Sequence, residues 1–320
     1  MYLTVLFFVA VAFISTIAAW KPLDPEKALF IYTRCMEDHL PDDSSRNKTL
    51  AGWRRWELVP TDMDATKCYA RCVLTKIGLY DPSSKKFNAE VIKQQWNEYK
   101  DLADENSVNK YVEAVQSLPE TEDSCEQVFS AYNDVHTQYK STAMNVFHGN
   151  PTLTRPIYAK LGDNIRQPSQ SYFLYCENKN YPVGSSQRNQ LCKIRLYAVL
   201  EDELFKKHAV CFFKGLRYLT EDNELDRSEI KRDFEQVNKD TSKVDSVLDA
   251  CGEPKNDFEK AFHYYKCLVQ SSIVDDFKEA FDYREIRSQN YGYNLAKKKQ
   301  YNRQDVVSGV SGLNDQQCPP

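Results

Sequence analysis

"CYARCVLTKIGLYD" (68–81) followed by "FNAEVIK" (87–93) returns in the second half of the chain as "CFFKGLRYLTEDNE" (211–224) followed by "LDRSEIK" (225–231). In each copy a helix carrying a cysteine runs into a polar turn. A second helix then opens behind a capping residue, Asn88 in one copy and Asp226 in the other. Cys68 aligns with Cys211, and Cys72 aligns with Gly215. An ordered series of this kind divides the chain into two copies of one unit. The junction falls near "KLGDNIRQPSQ" (160–170), where Gly162, Pro168 and small polar residues interrupt the helical pattern. The expected domains are therefore 20–163 and 164–320.

Outward from the repeat, apolar residues recur at helical spacing. "PEKALFIYTRCMEDHL" (25–40) sets Leu29, Tyr32 and Met36 on one face, Gly and Pro are sparse, and strand alternation is hard to find. The expected fold class is all-α, and about 300 residues beyond the leader suffice for two helical domains.

The leader is "MYLTVLFFVAVAFISTIAAW", with no charged side chain through Ala19 and with Thr16 and Ala18 spaced for cleavage before Trp20 or its neighbour. Residues 1–19 read as a signal peptide, and the mature chain as secreted. A basic residue before the apolar run is missing, yet the run is too short for a membrane anchor, and no later stretch matches it. Ten cysteines in an oxidising route imply up to five disulfides, and no CxxC pair points to a metal. A net charge of -4 excludes a strongly basic nucleic-acid binder. Asn47-Lys48-Thr49 is a glycosylation sequon, whereas Asn150 is followed by proline.

"DDFKEAFDYREIR" (275–287) is the stretch with the most chemistry. On a helix Asp282 and Glu285 share a face, while Phe277, Ala280, Phe281 and Ile286 only partly share an apolar stripe. One carboxylate pair thus flanks the apolar side, although a solvated charged helix gives the same pattern. Many cross-links in a helical chain suit a shell around a hollow, because each disulfide offsets lost packing by about 2–4 kcal/mol. They equally suit a purely structural bundle.

A helix with Cys35, then Cys68-x3-Cys72, then Cys125 ahead of an aromatic helix resembles the insect odorant-binding-protein plan, six or so helices around a small-molecule pocket. Two such copies, a leader, and the strings "LFIYTRCMED", "GLYDP", "FHGN", "HYYKCLV" and "FKEAFDYRE" resemble the long-form salivary "D-seven" proteins of blood-feeding mosquitoes. The resemblance spans the mature chain. It implies the disulfides Cys35–Cys72, Cys68–Cys125, Cys176–Cys211, Cys192–Cys318 and Cys251–Cys267. Gly215, in the place of the second CxxxC cysteine, means that the two domains do not share one disulfide plan.

The resemblance also implies a monomeric salivary scavenger without cofactor, metal or catalysis. Biogenic amines (serotonin, histamine, noradrenaline) would bind in the C-terminal domain, and eicosanoids (cysteinyl leukotrienes, thromboxane) in the N-terminal one. Vasoconstriction, platelet aggregation and inflammation would be countered. The implied amine site is Arg195, His208, Tyr265, Asp282 and Glu285. The two carboxylates take the ammonium, Tyr265 donates to or lies against the ligand, and His208 and Arg195 serve its other polar end or, for Arg195, neutralise a carboxylate. Taken singly, His208 reads as a surface or core histidine, Arg195 as a solvated charge and Tyr265 as core packing.

For the lipid, "WRRWE" sets Trp53 and Trp56 on one helix face beside Arg54 and Arg55, either as an acyl channel or as core filling. Tyr69 stands where the resemblance associates tyrosine with thromboxane-type ligands. The resemblance implies lysines near the junction where this chain has Pro168 and Ser169; if such a lysine neutralises the acidic headgroup, then Arg54, Arg55 or Arg166 takes its place here or affinity falls.

Three rivals remain. An enzyme finds no GxSxG, no HExxH and no free thiol if every cysteine is bridged. An adenine nucleotide such as ADP could sit at the junction, drawing on the tail "YGYNLAKKKQYNR" (291–303), which otherwise reads as a solvated segment held only by Cys318. Modulation of host haemostasis or immunity by protein–protein contact leaves no short motif.

Overall fold

Helix α1 (Pro25–His39) starts where Asp24 accepts the Lys27 N–H at 2.8 Å and Pro25 takes the first helical position. It is followed by α2 (Arg46–Arg54), α3 (Asp64–Lys76), a two-residue antiparallel hairpin of β1 (Tyr80–Asp81) and β2 (Lys86–Phe87), α4 (Glu90–Glu98), α5 (Glu105–Gln116), α6 (Cys125–Val146) and α7 (Pro151–Leu161). The second half holds α8 (Tyr172–Asn180), α9 (Gln190–Ile194), α10 (Glu203–Leu216), α11 (Arg227–Gln236), α12 (Ser242–Ala250), α13 (Lys260–Gln270), α14 (Val274–Gln289) and α15 (Arg303–Gln317). This computed structural model describes residues 20–289, 295–296 and 300–318. The leader, and residues 291–294 and 297–299 of the basic tail, lie outside the described residues.

The fold is all-α, with two helical cores, and the repeat is visible in it. Asp226 caps α11 by accepting from Ser228 and Glu229. Asn88 accepts the Glu90 N–H at 3.2 Å, one residue outside the cap position of α4. The turn that forms the β1–β2 hairpin in the first copy is reduced in the second to a single bridge, Leu219 to Leu225.

The disulfides join Cys35–Cys72, Cys68–Cys125, Cys176–Cys211, Cys192–Cys318 and Cys251–Cys267. Gly215 shows why the second copy lost its CxxxC cysteine. A Cβ there would stand 2.8 Å from the Tyr172 ring, so α8 packs into the space that a side chain would need.

The two domains meet through buried charge. Glu26 on α1 accepts from Arg166 (3.1 Å), Arg217 (2.9 Å) and the Tyr172 hydroxyl (2.9 Å). Burial pushes this carboxyl up, but the Arg217 and Arg166 guanidiniums outweigh it and hold the group below the ordinary value. One turn of the interface away, Arg34 pairs with Glu229 at 2.7 Å, and Glu37 takes Arg287 (2.6 Å) and Arg232 (2.8 Å). Glu26→Ala should therefore destabilise the protein by about 3–5 kcal/mol, because two guanidiniums stay buried without their counter-ion. Urea unfolding measures this directly, and a change near zero would show the interface to be wet and loose.

Candidate ligand-binding sites

Beneath α14 in the second domain lies a cavity of about 40 Å³ whose lining includes all five residues of the expected amine site. Glu285 Oε1 accepts from Arg195 at 3.1 Å, and the same guanidinium donates to Glu177 Oε2 at 2.7 Å and to Asn314 Oδ1 at 3.1 Å. Asp282 Oδ1 accepts from the Tyr197 hydroxyl at 2.5 Å. Without a ligand, Arg195 is engaged with the pocket carboxylates Glu177 and Glu285. His208 meets the ring of Phe212 edge-on, and Tyr265 does the same at 5.3 Å.

Two carboxyls thus share one guanidinium in an aromatic box, and a third, Asp282, is held by the Tyr197 hydroxyl. Burial pushes Glu285 up to about 7 and Asp282 up to about 6, with Arg195 pulling each part of the way back. Glu177 is raised for the same reason. His208 goes the other way, lowered to about 3 by burial and held neutral, and its Nδ1 has no partner.

Glu177, Tyr197 and Asn314 escaped sequence reading. Glu177 follows Cys176, whose disulfide carries it inward, and that adjacency is the one signal it leaves. Tyr197 turns into the cavity from a left-handed backbone (φ 64°) just beyond α9. Asn314 comes from α15, and Leu295, in the described part of the tail 291–303, is buried. Val310 and Asn314 roof the cavity, Val306 is buried, and Tyr301 bonds Glu279. The free space is far below that of a drug-sized ligand. A guest of drug-like size enters only if this roof moves.

The first domain offers more room. A cleft of about 750 Å³ runs between α1, the end of α2 and the second domain, and a small inner chamber lies behind it. Tyr32 and Trp56 line both. Trp53 stacks on Tyr69 at 4.1 Å, its indole N–H buried and without a partner. Trp56 corrects the reading of one helix face. Helix α2 ends at Arg54, and Trp56 follows in a left-handed conformation (φ 59°), its indole over Gly149, where a Cβ would come within 2.1 Å. Trp53 lines the cleft, Tyr69 the inner chamber, and Trp56 both. Arg54 and Arg166 line the cleft, as does Pro168, whereas Arg55 is not at the mouth and pairs with Glu57 at the surface. Asn47 is exposed on the first turn of α2, while the Thr49 of its sequon is buried.

The PBP/GOBP family pattern matches residues 18–136 and 161–271. The long form salivary protein D7L1 of Aedes aegypti is 53% identical over 307 residues, 95% of this chain and 96% of that protein. The chain belongs to the long-form salivary D7 family. Among solved structures, the AeD7–leukotriene E4 complex is 53% identical with a TM-score of 0.86, covering 89% of this D7 chain and 96% of that one. The AnSt-D7L1–U46619 complex is 35% identical with a TM-score of 0.82 and coverage of 92% and 98%. The Culex quinquefasciatus D7 long form 1 in complex with ADP is 28% identical with a TM-score of 0.84 and coverage of 93% and 99%. No described helix of this D7 chain is long and apolar enough to cross a membrane.

The raised carboxyls make a prediction about the ligand-free protein. Asp282 and Glu285 stand above their unfolded values of 3.8 and 4.5, so between about pH 4 and 7 the folded state keeps protons that the unfolded chain releases. Their contribution favours folding below that window and is lost as pH rises through it, on the order of 3 kcal/mol for Glu285. Glu285→Gln, which cannot ionise, should gain stability relative to wild type between pH 5 and 8 in thermal melts. A difference that stays constant with pH would mean that Glu285 is not desolvated.

Proposed function

We propose that the protein is secreted in saliva as a monomeric scavenger that holds one biogenic amine in the second domain and one eicosanoid in the first, without catalysis. The observation that carries the reading is the imbalance under α14, three buried carboxyls answered by one guanidinium within an aromatic box. An alkylammonium supplies the missing positive charge and three N–H donors, each charge-assisted bond contributing about 1.5–3 kcal/mol. The aromatic faces of Phe173, Phe212 and Phe281 suit the ring of an arylamine. Neutral His208, with an unanswered Nδ1, suits a ring hydroxyl.

The eicosanoid assignment draws on the shape of the first-domain cavity and on the leukotriene E4 and U46619 complexes of the relatives. Its cleft of about 750 Å³ has room for an acyl chain, and Arg54 lines it for a carboxylate, with Arg166, already paired with Glu26, beside it. A nucleotide at the junction is the second reading. It rests on the ADP complex of the Culex relative and on those same two arginines, and titration with ADP separates it from the lipid.

Asp282→Ala with Glu285→Ala should abolish serotonin binding in titration calorimetry and leave leukotriene E4 binding unchanged. Equal loss of both ligands would contradict the two-site assignment. Serotonin affinity of the wild type should fall as pH is lowered from about 8 through 7 and 6, because a protonated carboxyl loses the negative charge that answers the ammonium. A pH-independent affinity would remove the carboxylates from the site.

A further inference from the structure

Asn47-Lys48-Thr49 is the one Asn-X-Ser/Thr sequon of the chain, since proline follows Asn150. Its two functional positions have opposite fates in the fold. Asn47, in the first turn of α2, is exposed, whereas Thr49 is 1% exposed and its Oγ1 is buried without a hydrogen-bond partner. Thr33 and Thr137, also on helices, return their hydroxyls to the carbonyl one turn back, at 2.8 Å from Leu29 and 2.9 Å from Asn133. Thr49 does not. A buried hydroxyl with nothing to bond is costly, and a valine of similar shape would avoid that cost. Among the described residues the fold gives this group no bond. The sequon requires it, because a hydroxyl two positions after the asparagine is part of what a glycosylating enzyme reads.

Burial of Thr49 closes the sequon once the domain has folded, so the order of events matters. Helix α2 has nine residues with Gly52 among them, too short to persist alone in water. What holds it lies further along the chain. Trp53 stacks on Tyr69 of α3 at 4.1 Å, and the Cys35–Cys72 disulfide closes the loop that contains α2. In a chain that enters the secretory lumen N-terminus first, residues 47–49 arrive as open backbone before Tyr69 and Cys72 are in place.

We propose that Asn47 carries an N-linked glycan, attached before α2 forms. The co-reactant is a lipid-diphosphate-linked oligosaccharide of the secretory route. Asn47 Nδ2 forms a bond to C1 of the first sugar, the C1–O bond to the diphosphate breaks, the lipid diphosphate leaves with the electron pair, and one amide proton passes to a base. Folding then buries Thr49 and leaves the sugar outside. Asn47 and Arg54 are seven residues apart on α2, two turns or about 10 Å along one face. Arg54 lines the first-domain cleft, so the glycan stands at its rim. This rests on the reading of the chain as secreted.

The test expresses the full chain with its leader in insect cells and takes the intact mass of the protein in the medium, before and after digestion with a peptide N-glycosidase. Wild type should exceed the mass of the mature chain by one glycan and return to it on digestion. Thr49→Ser should keep the sugar, and Thr49→Val and Asn47→Gln should lose it. In thermal melts Thr49→Val should exceed Asn47→Gln by about 2 °C or more, because both lack the sugar and only the valine variant loses the unbonded hydroxyl. Wild type secreted at the bare chain mass would overturn the proposal. A valine variant that melts below Asn47→Gln would overturn the claim that the fold has no use for the hydroxyl. Wild type retained in the cells with its leader uncut would overturn the secreted reading beneath both.

Discussion

Asp233 lies 1% exposed in the second domain, behind the residues that meet α1, accepting from Arg284 at 2.9 Å, from Arg287 at 3.2 Å and from the Tyr218 hydroxyl at 2.7 Å. Arg287 reaches on to Glu37 of α1, and Arg34 of α1 reaches back to Glu229. Charges so far from water are tolerable only when each is answered, so α1 docks in one register against α11 and α14. Apolar contact alone would let the domains slide. The cleft lined by Trp53 exists because this register sets α1 and the end of α2 opposite Tyr172, Arg166 and Arg284.

Helix α14 belongs to both halves of this arrangement. Arg284 and Arg287 turn toward the interface, while Asp282 and Glu285 turn into the cavity of the second domain. The same constraint acts at each face with opposite outcomes. At the interface the charges close among themselves. In the cavity the carboxyls exceed their counter-ion, and the carboxyls of Asp282 and Glu285 respond by holding protons near neutral pH. A helix that is charged around most of its circumference is consequently buried, with Tyr283, Arg284, Glu285, Arg287 and Ser288 all out of solvent.

Much of this was legible. Repeat and helical class followed from spacing, because periodicity and short motifs record one-dimensional neighbours, whereas the cysteine pairing and the five residues around the second cavity came from family resemblance alone. What escaped depends on contacts between distant segments. The burial of α14 needs partners on α1 and α11, so the charge run alone reads equally well as solvated. Glu177 and Asn314 join the cavity from elements 137 residues apart, and no local pattern links them. Trp56 left the expected helix face because Gly149, far along the chain, makes room for its indole. The absence of a second CxxxC cysteine was visible at Gly215, but its cause, the Tyr172 ring, was not.

Separate cavities, walled apart by a closed charge network, lead to one central claim: two unlike ligands occupy the chain at once. Native mass spectrometry of the mature, oxidised protein with serotonin and leukotriene E4 together tests it most directly. The account predicts a dominant species carrying one of each. A spectrum in which either ligand displaces the other, so that no doubly loaded species forms, would contradict it.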